Sequence, residues 1–502
     1  MESFSFDLIH KSWISYADLK GDYSSVGIND VLMRAHEIRS IEHQNPLTEV
    51  AFFRVLLAVI HRAVNGPRTS NEWKRMYQAG KFDARIQEYL EKWRQRFDLF
   101  SPSEPFYQTA GLRVIDKSGK PVPQTVVSIV LEKASGHNKT LFDHTTAELS
   151  VRLSPAEAAQ KLITAQMFSL RGLNKKITNL FGYQQSYLNA AMVSGIYIVL
   201  SGKSLFEALM LNLLLYNDNE PIPRTEFDCP IWERNDIVGT TASTPKGYLD
   251  FLTCKCRHIL LVPQQKSGDV FVEHMHIAQA EAFPEVDNPA FINKRKKDGS
   301  WYHPQLNPDR LVWRDSSALF AFDEEIDQRP KVFHHVKAMG STVNLPSRYM
   351  CIAFALANDQ ANPLAWRKEK MNIPLSLLSD KNVVAYLIKG MAMVDLGERA
   401  LDSAVKSFMH EYHLQKNSKG ITEKSKSTGA ERLYWDRMES NFHQFLLDMD
   451  DPEKALEKWE RAIKKTAHES LDLCLRDRYR NAYKAWEKAL SNLNMRLAGL
   501  NN

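Results

Sequence analysis

From about residue 376 onward the chain carries four proline-poor stretches with apolar residues every three or four positions: "NVVAYLIKGMAMVDLGERALDSAVKSFMHEYHL", "AERLYWDRMESNFHQFLLDM", "DPEKALEKWERAIKKTAHESLDLCL" and "RNAYKAWEKALSNLNMRLAGL". Such spacing puts the apolar side chains on one side of a helix, and four amphipathic helices in succession hide those sides best against one another. In the third stretch Leu456, Trp459, Ile463, Thr466, Ala467, Ser470 and Cys474 share a face, while Asp451 and Pro452 supply an N-cap and a first helical position. The pattern predicts an all-α four-helix bundle over 373–502. The basic link "QKNSKGITEKSKSTG" between the first two helices is expected to be mobile.

The residues before it have a different texture. A chain of 502 residues exceeds what one core usually holds, so a second domain is expected over 1–372. It mixes helical runs ("EVAFFRVLLAVIHRAV", and "NEWKRMYQAGKF" through "YLEKWRQRFDLF") with short β-like runs ("HILLVP", "GDVFVEHMHIA", "RLVW", "YMCIAFA") among most of the prolines and glycines. At "LSPAEAAQKLITAQMF", Ser154, Pro155 and Glu157 spell a capping box that opens a helix. The following "SLRGLNKKITNLFGYQQSYLNA" is polar, aromatic and aperiodic, a loop of the length that is functional or disordered. The fold class is therefore α+β: a large irregular mixed α/β N-terminal domain followed by an all-α bundle.

Composition narrows the classes. Hydrophobic residues at 44% and charged residues at 25% supply large cores and exclude global disorder. Five cysteines (Cys229, Cys254, Cys256, Cys351, Cys474) form no disulfide framework, which suits a reducing cytoplasm. The start "MESFSFDLIHKSW" has no signal-peptide pattern, and no run reaches the ~18 apolar residues of a membrane helix. A net charge of +5 permits an anionic partner without demanding one, so clustering has to decide.

The enzymatic motifs fail one by one. "SGKSLFEAL" after "IYIVL" suggests a phosphate loop, but the glycine required five residues before Gly202 is Tyr197. "HEYH" at 410–413 spaces its histidines one residue short of a zinc helix, and "CKC" at 254–256, which would point both sulfurs to one side of a strand, has no second pair. "HMH" at 274–276 is equally incomplete. Asp143 and His144 are sequence neighbours whose side chains diverge; a metal- or base-dependent nucleic-acid hydrolase using them is the alternative reading. No catalytic residue, metal or cofactor is expected. Three polar elements point elsewhere: the cationic run Lys294 to Lys297 followed by Trp301 and Tyr302; Arg171, Lys175 and Lys176 in "SLRGLNKK"; and the amide-rich turn Asn358, Asp359, Gln360, Asn362 with Arg367 and Lys368 beyond it. Alone, the first is a solvated hairpin tip and the last a helix cap. Together they match the contacts of nucleic-acid binding.

An ordered set of stretches, "FDLIHKSWI", "EPFYQ", "SGHNKTLFDHT", "LSPAEAAQKLITAQMF", "DCPIWERND", "GYLDFLT", "ILLVP", "DGSWYHP", "ANDQANPLAWRKE" and "AERLYWDRMESNF", resembles the CasA family, the large subunit of the type I-E CRISPR surveillance complex Cascade. The resemblance spans nearly the whole chain. It implies a non-catalytic subunit that holds target double-stranded DNA, reads its protospacer-adjacent motif from the minor groove and starts the R-loop. Its partners would be the other Cascade subunits, the 5′ handle of the CRISPR RNA and the helicase–nuclease that the subunit recruits. Gln360 matches the family's wedge, flanked by Asp359 and Ala361; the lysine finger falls within Lys294, Arg295 and Lys296. The family's glycine-rich loop corresponds to "SLRGLNKK", which keeps only Gly172, so Arg171, Asn174 and Lys175 are expected to reach DNA with side chains. The RNA-handle loop carries Asn138, Phe142 and His144, with Phe142 stacking on an unpaired base and Asp143 and His144 fixing the loop. The four-cysteine zinc site of some members is missing here.

Overall fold

The structure, a computed structural model, describes residues 4–133, 151–174, 176–183, 186–283, 286–296, 298–321, 329–341, 343–413, 418–476 and 482–501. It divides into two compact units, one of Met1–Arg310, Gln328–Leu345 and Cys351–Lys370, the other of Leu311–Asp327, Pro346–Met350 and Met371–Asn502.

The first unit is built around the Pro46–Val64 helix, buried continuously from Leu47 to His61. A helix apolar on all sides belongs inside a core. Its start is set by Asn45, whose side chain accepts from the Leu47 N–H (2.9 Å), with Pro46 in the first turn. The Pro155–Phe168 helix packs on it and opens with the expected capping box of Ser154 and Glu157. Strands form several two- and three-stranded sheets instead of one large one. The longest ladder joins Arg257–Lys266 to Asp269–Gln279 through Ser267 and Gly268, both at positive φ (55° and 94°), which suits a tight hairpin. A second hairpin joins Arg348–Asp359 to Asn362–Pro374, with Tyr197–Ser201 alongside the Arg348–Asp359 strand.

Several local expectations change. "SLRGLNKKITNLFGYQQSYLNA" is not all loop: Ile177–Thr178 pairs with Gly182–Tyr183 and with Val114–Ile115. "RLVW" enters a short 3-10 turn, Val312–Asp315, and is no strand. Cys254 and Cys256 are buried just ahead of the strand that begins at Arg257. After the Tyr197–Ser201 strand, the place of a bound phosphate is taken by Glu207: its carboxylate accepts from the Lys203 N–H, and a Cβ on Gly202 would lie 2.2 Å from its Oε2.

In the second unit the four predicted helices run over Lys381–His413, Ala430–Asp448, Pro452–Leu471 and Tyr483–Leu497. The expected mobile link contains a helix of its own, Ser418–Ser427, which forms despite Gly420 in its first turn, and Gly429 then turns the chain at φ 78°. Close approach is made possible by glycines on the Lys381–His413 helix: a Cβ on Gly390 would lie 2.8 Å from the Phe445 ring, and one on Gly397 2.5 Å from both Ile463 and Tyr434. Hydrogen bonds lock the approach, from Trp459 Nε1 to the Gly390 carbonyl (2.8 Å) and from the Tyr434 hydroxyl to that of Val394 (2.9 Å). On the Pro452–Leu471 helix the buried face is Ala455, Trp459, Ile463, Thr466, Ala467, Ser470 and Leu471. Leu456 and Cys474 are only half-buried; beyond Leu471 the chain widens into a π turn and the predicted stripe rotates off the core.

Candidate nucleic-acid interface

Gln360 and Ala361 form the two-residue tip of the long hairpin, with Gln360 at φ 52° and the Asn358 amide donating to the Gln360 carbonyl (2.9 Å). Asp359 and Gln360 are exposed. The amide-rich turn is thus a strand reversal and not a helix cap. The two cations beyond it are spent on the protein: Arg367 donates to the carbonyls of Arg310 (3.1 Å) and Pro308, and Lys368 pairs with Glu49 and, at 3.6 Å, Glu42.

The second element is held from beneath. Gly172 exchanges both backbone hydrogen bonds with Tyr187 (3.2 and 2.8 Å), closing the base of the loop. Under that base lies Arg257, 2% exposed, donating to the carbonyls of Leu170 (2.8 Å), Leu188 (2.9 Å) and Cys256 (2.9 Å) and to Gln279 Oε1 (3.1 Å). Its guanidinium lies 4.5 Å from the centre of the Tyr187 ring. Burial pushes the Tyr187 hydroxyl up to about 12, so it stays neutral. The Arg171 N–H is tied to Asn189 Oδ1 (2.7 Å) while the residue remains exposed, and Leu173 stands 83% exposed at the tip. Asn174 departs from expectation: it is 5% exposed, and its Oδ1 accepts from the Lys176 N–H (3.2 Å), so its side chain braces the loop from inside. Half-buried Lys176 has its ammonium pKa lowered by desolvation. Lys175 lies outside the described residues.

These two elements meet. A Cβ on Gly172 would come 3.9 Å from the Cβ of Ala361, and the loop and the hairpin tip together line a groove of about 740 Å³ that also takes in Ser128, Lys133 and Lys176. Two of its walls, Arg171–Leu173 and Gln360–Ala361, come from stretches singled out in the sequence.

The third element is a separate hairpin, Lys294–Arg295 against Trp301–Tyr302, that does not line this groove. Asp298 caps its turn by accepting from the Ser300 N–H (2.9 Å) and hydroxyl (2.7 Å). The aromatic rings do not anchor its base in the core. Trp301 and Tyr302 are 40% and 41% exposed, and Arg295 and Lys296 lie over them at 6.0 and 5.8 Å. Cations and ring faces are therefore presented together. Lys297 and the whole proposed RNA-handle loop, Asn138, Phe142, Asp143 and His144 included, lie outside the described residues.

The family model for CRISPR-associated protein Cse1 matches residues 7–470. The chain belongs to the Cse1 family. A CRISPR-associated protein CasA/Cse1 from Thermus thermophilus is 28% identical over 492 residues, covering 93% of this chain and 91% of the relative. The crystal structure of CasA from Thermus thermophilus superposes with a TM-score of 0.81 at 25% identity, over 99% of this chain and 100% of that one. Cse1 from Acidimicrobium ferrooxidans shares the fold at a TM-score of 0.84 and 23% identity, covering 100% and 99%. So does a chain of a CRISPR RNA-guided surveillance complex, at 0.76 and 19%, covering 99% and 100%.

In this Cse1 chain Arg257, which holds the base of the groove's loop, is the residue that sequence patterning does not single out. The one signal for it is a cation at the head of an apolar strand, "CRHILLV", where an arginine has to find carbonyl partners to be buried. Among the described residues no three His, Cys, Asp or Glu side chains gather as a metal site, and no helix is long and apolar enough to cross a membrane.

Proposed function

We propose that the chain is the non-catalytic large subunit of a type I-E Cascade complex, a cytoplasmic RNA-guided antiviral assembly. In this reading it joins the other subunits at the 5′ handle of the CRISPR RNA, reads the protospacer-adjacent motif of target duplex DNA, starts the R-loop and recruits the helicase–nuclease. Residues 1–372 carry the RNA-handle loop and the motif-reading elements, and the helices of 373–502 form a four-helix bundle.

The observation that carries the reading is the junction of Gly172 with Ala361, which makes one groove of the two predicted DNA-facing elements. A minor groove laid along it meets Arg171 from one wall and Gln360 from the other. Arginine is drawn to the negative potential of a narrow minor groove, and amides read its acceptors. A side chain pushed between base pairs has to offset an unstacking cost of a few kcal/mol, which is small enough for neighbouring contacts to cover. The hairpin with Lys294, Arg295 and Lys296 adds phosphate contacts whose strength falls with salt. Guide pairing then reads the target while protein reads only the flank.

The test is a gel shift of the guide-loaded complex, with and without this chain, on target duplexes whose flanking trinucleotide is randomised. Binding that needs both the chain and particular flanks is the expected result. Flank-independent binding, or no effect of the chain, overturns the assignment of the groove.

A further inference from the structure

Two stretches that the nucleic-acid reading leaves unused, "EPFYQ" and "IWERND", face each other across a second cavity of about 230 Å³ in the first unit. It shares no lining residue with the groove. Its inner wall holds Lys255, 9% exposed, whose ammonium donates to the Gln108 carbonyl at 2.6 Å. An ammonium has three N–H donors, and a buried one normally faces a carboxylate. Here none lies within ion-pair distance among the described residues.

The other charges of the cavity are already matched. Arg96 pairs with Glu104 (2.8 Å) and donates to the Arg234 carbonyl (3.2 Å) and to Asn235. Arg234 pairs with Asp236 (2.7 Å), Asp250 (3.3 Å) and Glu281 (3.3 Å). Lys255 is thus the uncompensated cation, with the Arg234 guanidinium as an additional positive neighbour. Desolvation lowers its ammonium to about 7, the response of a buried amine that lacks an anion. The wall opposite is built under strain: Tyr107 holds φ at 57°, a left-handed conformation unusual for an aromatic residue, in the turn that presents the Gln108 carbonyl to the amine.

We infer that this cavity binds a small oxyanion, phosphate or a short carboxylate, with Lys255 as its counter-charge. The buried ammonium supplies two further donors, and the volume accommodates such an anion with a few waters. A bound anion ties together the 104–109 turn, the 231–238 segment and the entry to the Arg257–Lys266 strand, so it stabilises the first unit without touching the groove.

The experiment is thermal unfolding of the full chain titrated with inorganic phosphate and, separately, with acetate, at constant ionic strength set by chloride. Wild type is expected to show a saturable rise in Tm with one or both anions. Lys255→Met, of nearly equal length and no charge, is expected to weaken the apparent affinity by about tenfold or more, the range of one charge-assisted hydrogen bond. A response to phosphate alone assigns a tetrahedral oxyanion, and a response to acetate alone a planar carboxylate. Lys255→Gln serves as the second variant if the methionine protein does not fold, since it keeps a donor for the Gln108 carbonyl. No saturable response in wild type, or an equal response in the variants, overturns the proposal. Broadening of the phosphate ³¹P resonance by wild type and not by the variant gives an independent readout, and flank-dependent DNA binding by the complex stays unchanged in the variant.

Discussion

Gln360 occupies a backbone conformation that L-residues avoid at a cost of about 1–2 kcal/mol, yet it stands at an exposed hairpin tip where glycine or asparagine would be easier. Strained backbone of this kind clusters at functional sites, and the proposed wedge role is what the strain would serve. Gln360→Gly separates the two effects: it should leave the Tm unchanged or raise it, by up to about 1 kcal/mol of stability, while abolishing flank-dependent strand opening. Opening followed by a fluorescent base analogue beside the motif measures this, and normal opening in the variant contradicts the wedge role. The polar character of this turn is legible in the sequence, but its amides and cations also serve the fold: Asn358 donates to the Gln360 carbonyl, and Arg367 and Lys368 are bonded within the protein. Asn174 was misread. It lies beside Lys175 and Lys176 in a stretch read as reaching outward, but its buried Oδ1, bonded to the Lys176 N–H, braces the loop from inside.

At the level of elements, the helices were read well because caps and apolar stripes act within a few residues; Ser154, Asn45 and Asp451 each cap the helix that follows. The two-residue strands Val114–Ile115, Ile177–Thr178 and Gly182–Tyr183 have no period to read, so they were missed. The loop that carries the last two is held at both ends by Arg257, alongside the backbone pairings of Gly172 with Tyr187 and of Ser169 with Ala190. Arg257→Met removes the donor from the part-buried carbonyls of Leu170 and Leu188, at up to about 1–3 kcal/mol each. Amide hydrogen exchange over 170–189 should accelerate selectively, with Arg257→Lys failing to restore it because a point charge cannot span both carbonyls. Unchanged exchange there would remove Arg257 from the account of the groove.

Across the whole first unit, acid acts on the interior through three buried histidines. His61, His258 and His335 are buried on different elements, and desolvation lowers their pKa values from 6.5 to about 4, about 3 and about 3. Above pH 6.5 folded and unfolded chains both hold them neutral and nothing is gained. As pH falls from 6.5 toward 4, the unfolded chain takes up protons that the folded one refuses, so stability is lost, on the order of 3 kcal/mol for His61 alone. Calorimetry should show the melting transition of the first unit falling across that window, and His61→Gln should flatten the slope. A Tm independent of pH from 6.5 to 4 would contradict the burial of these rings.

The sequence by itself determined the four long helices after residue 376 and the Pro46–Val64 and Pro155–Phe168 helices, where several of them begin, and that a phosphate loop is impossible at Gly202. All of these rest on residues within a turn or two of one another. Only the tertiary structure decided that Gly172 meets Ala361 to make a groove, that the Lys294–Arg295 hairpin does not line it, and that Lys255 faces a carbonyl 147 residues away. Those pairings are chosen by how buried surfaces and carbonyls are satisfied across the fold, a condition that no local pattern along the chain encodes.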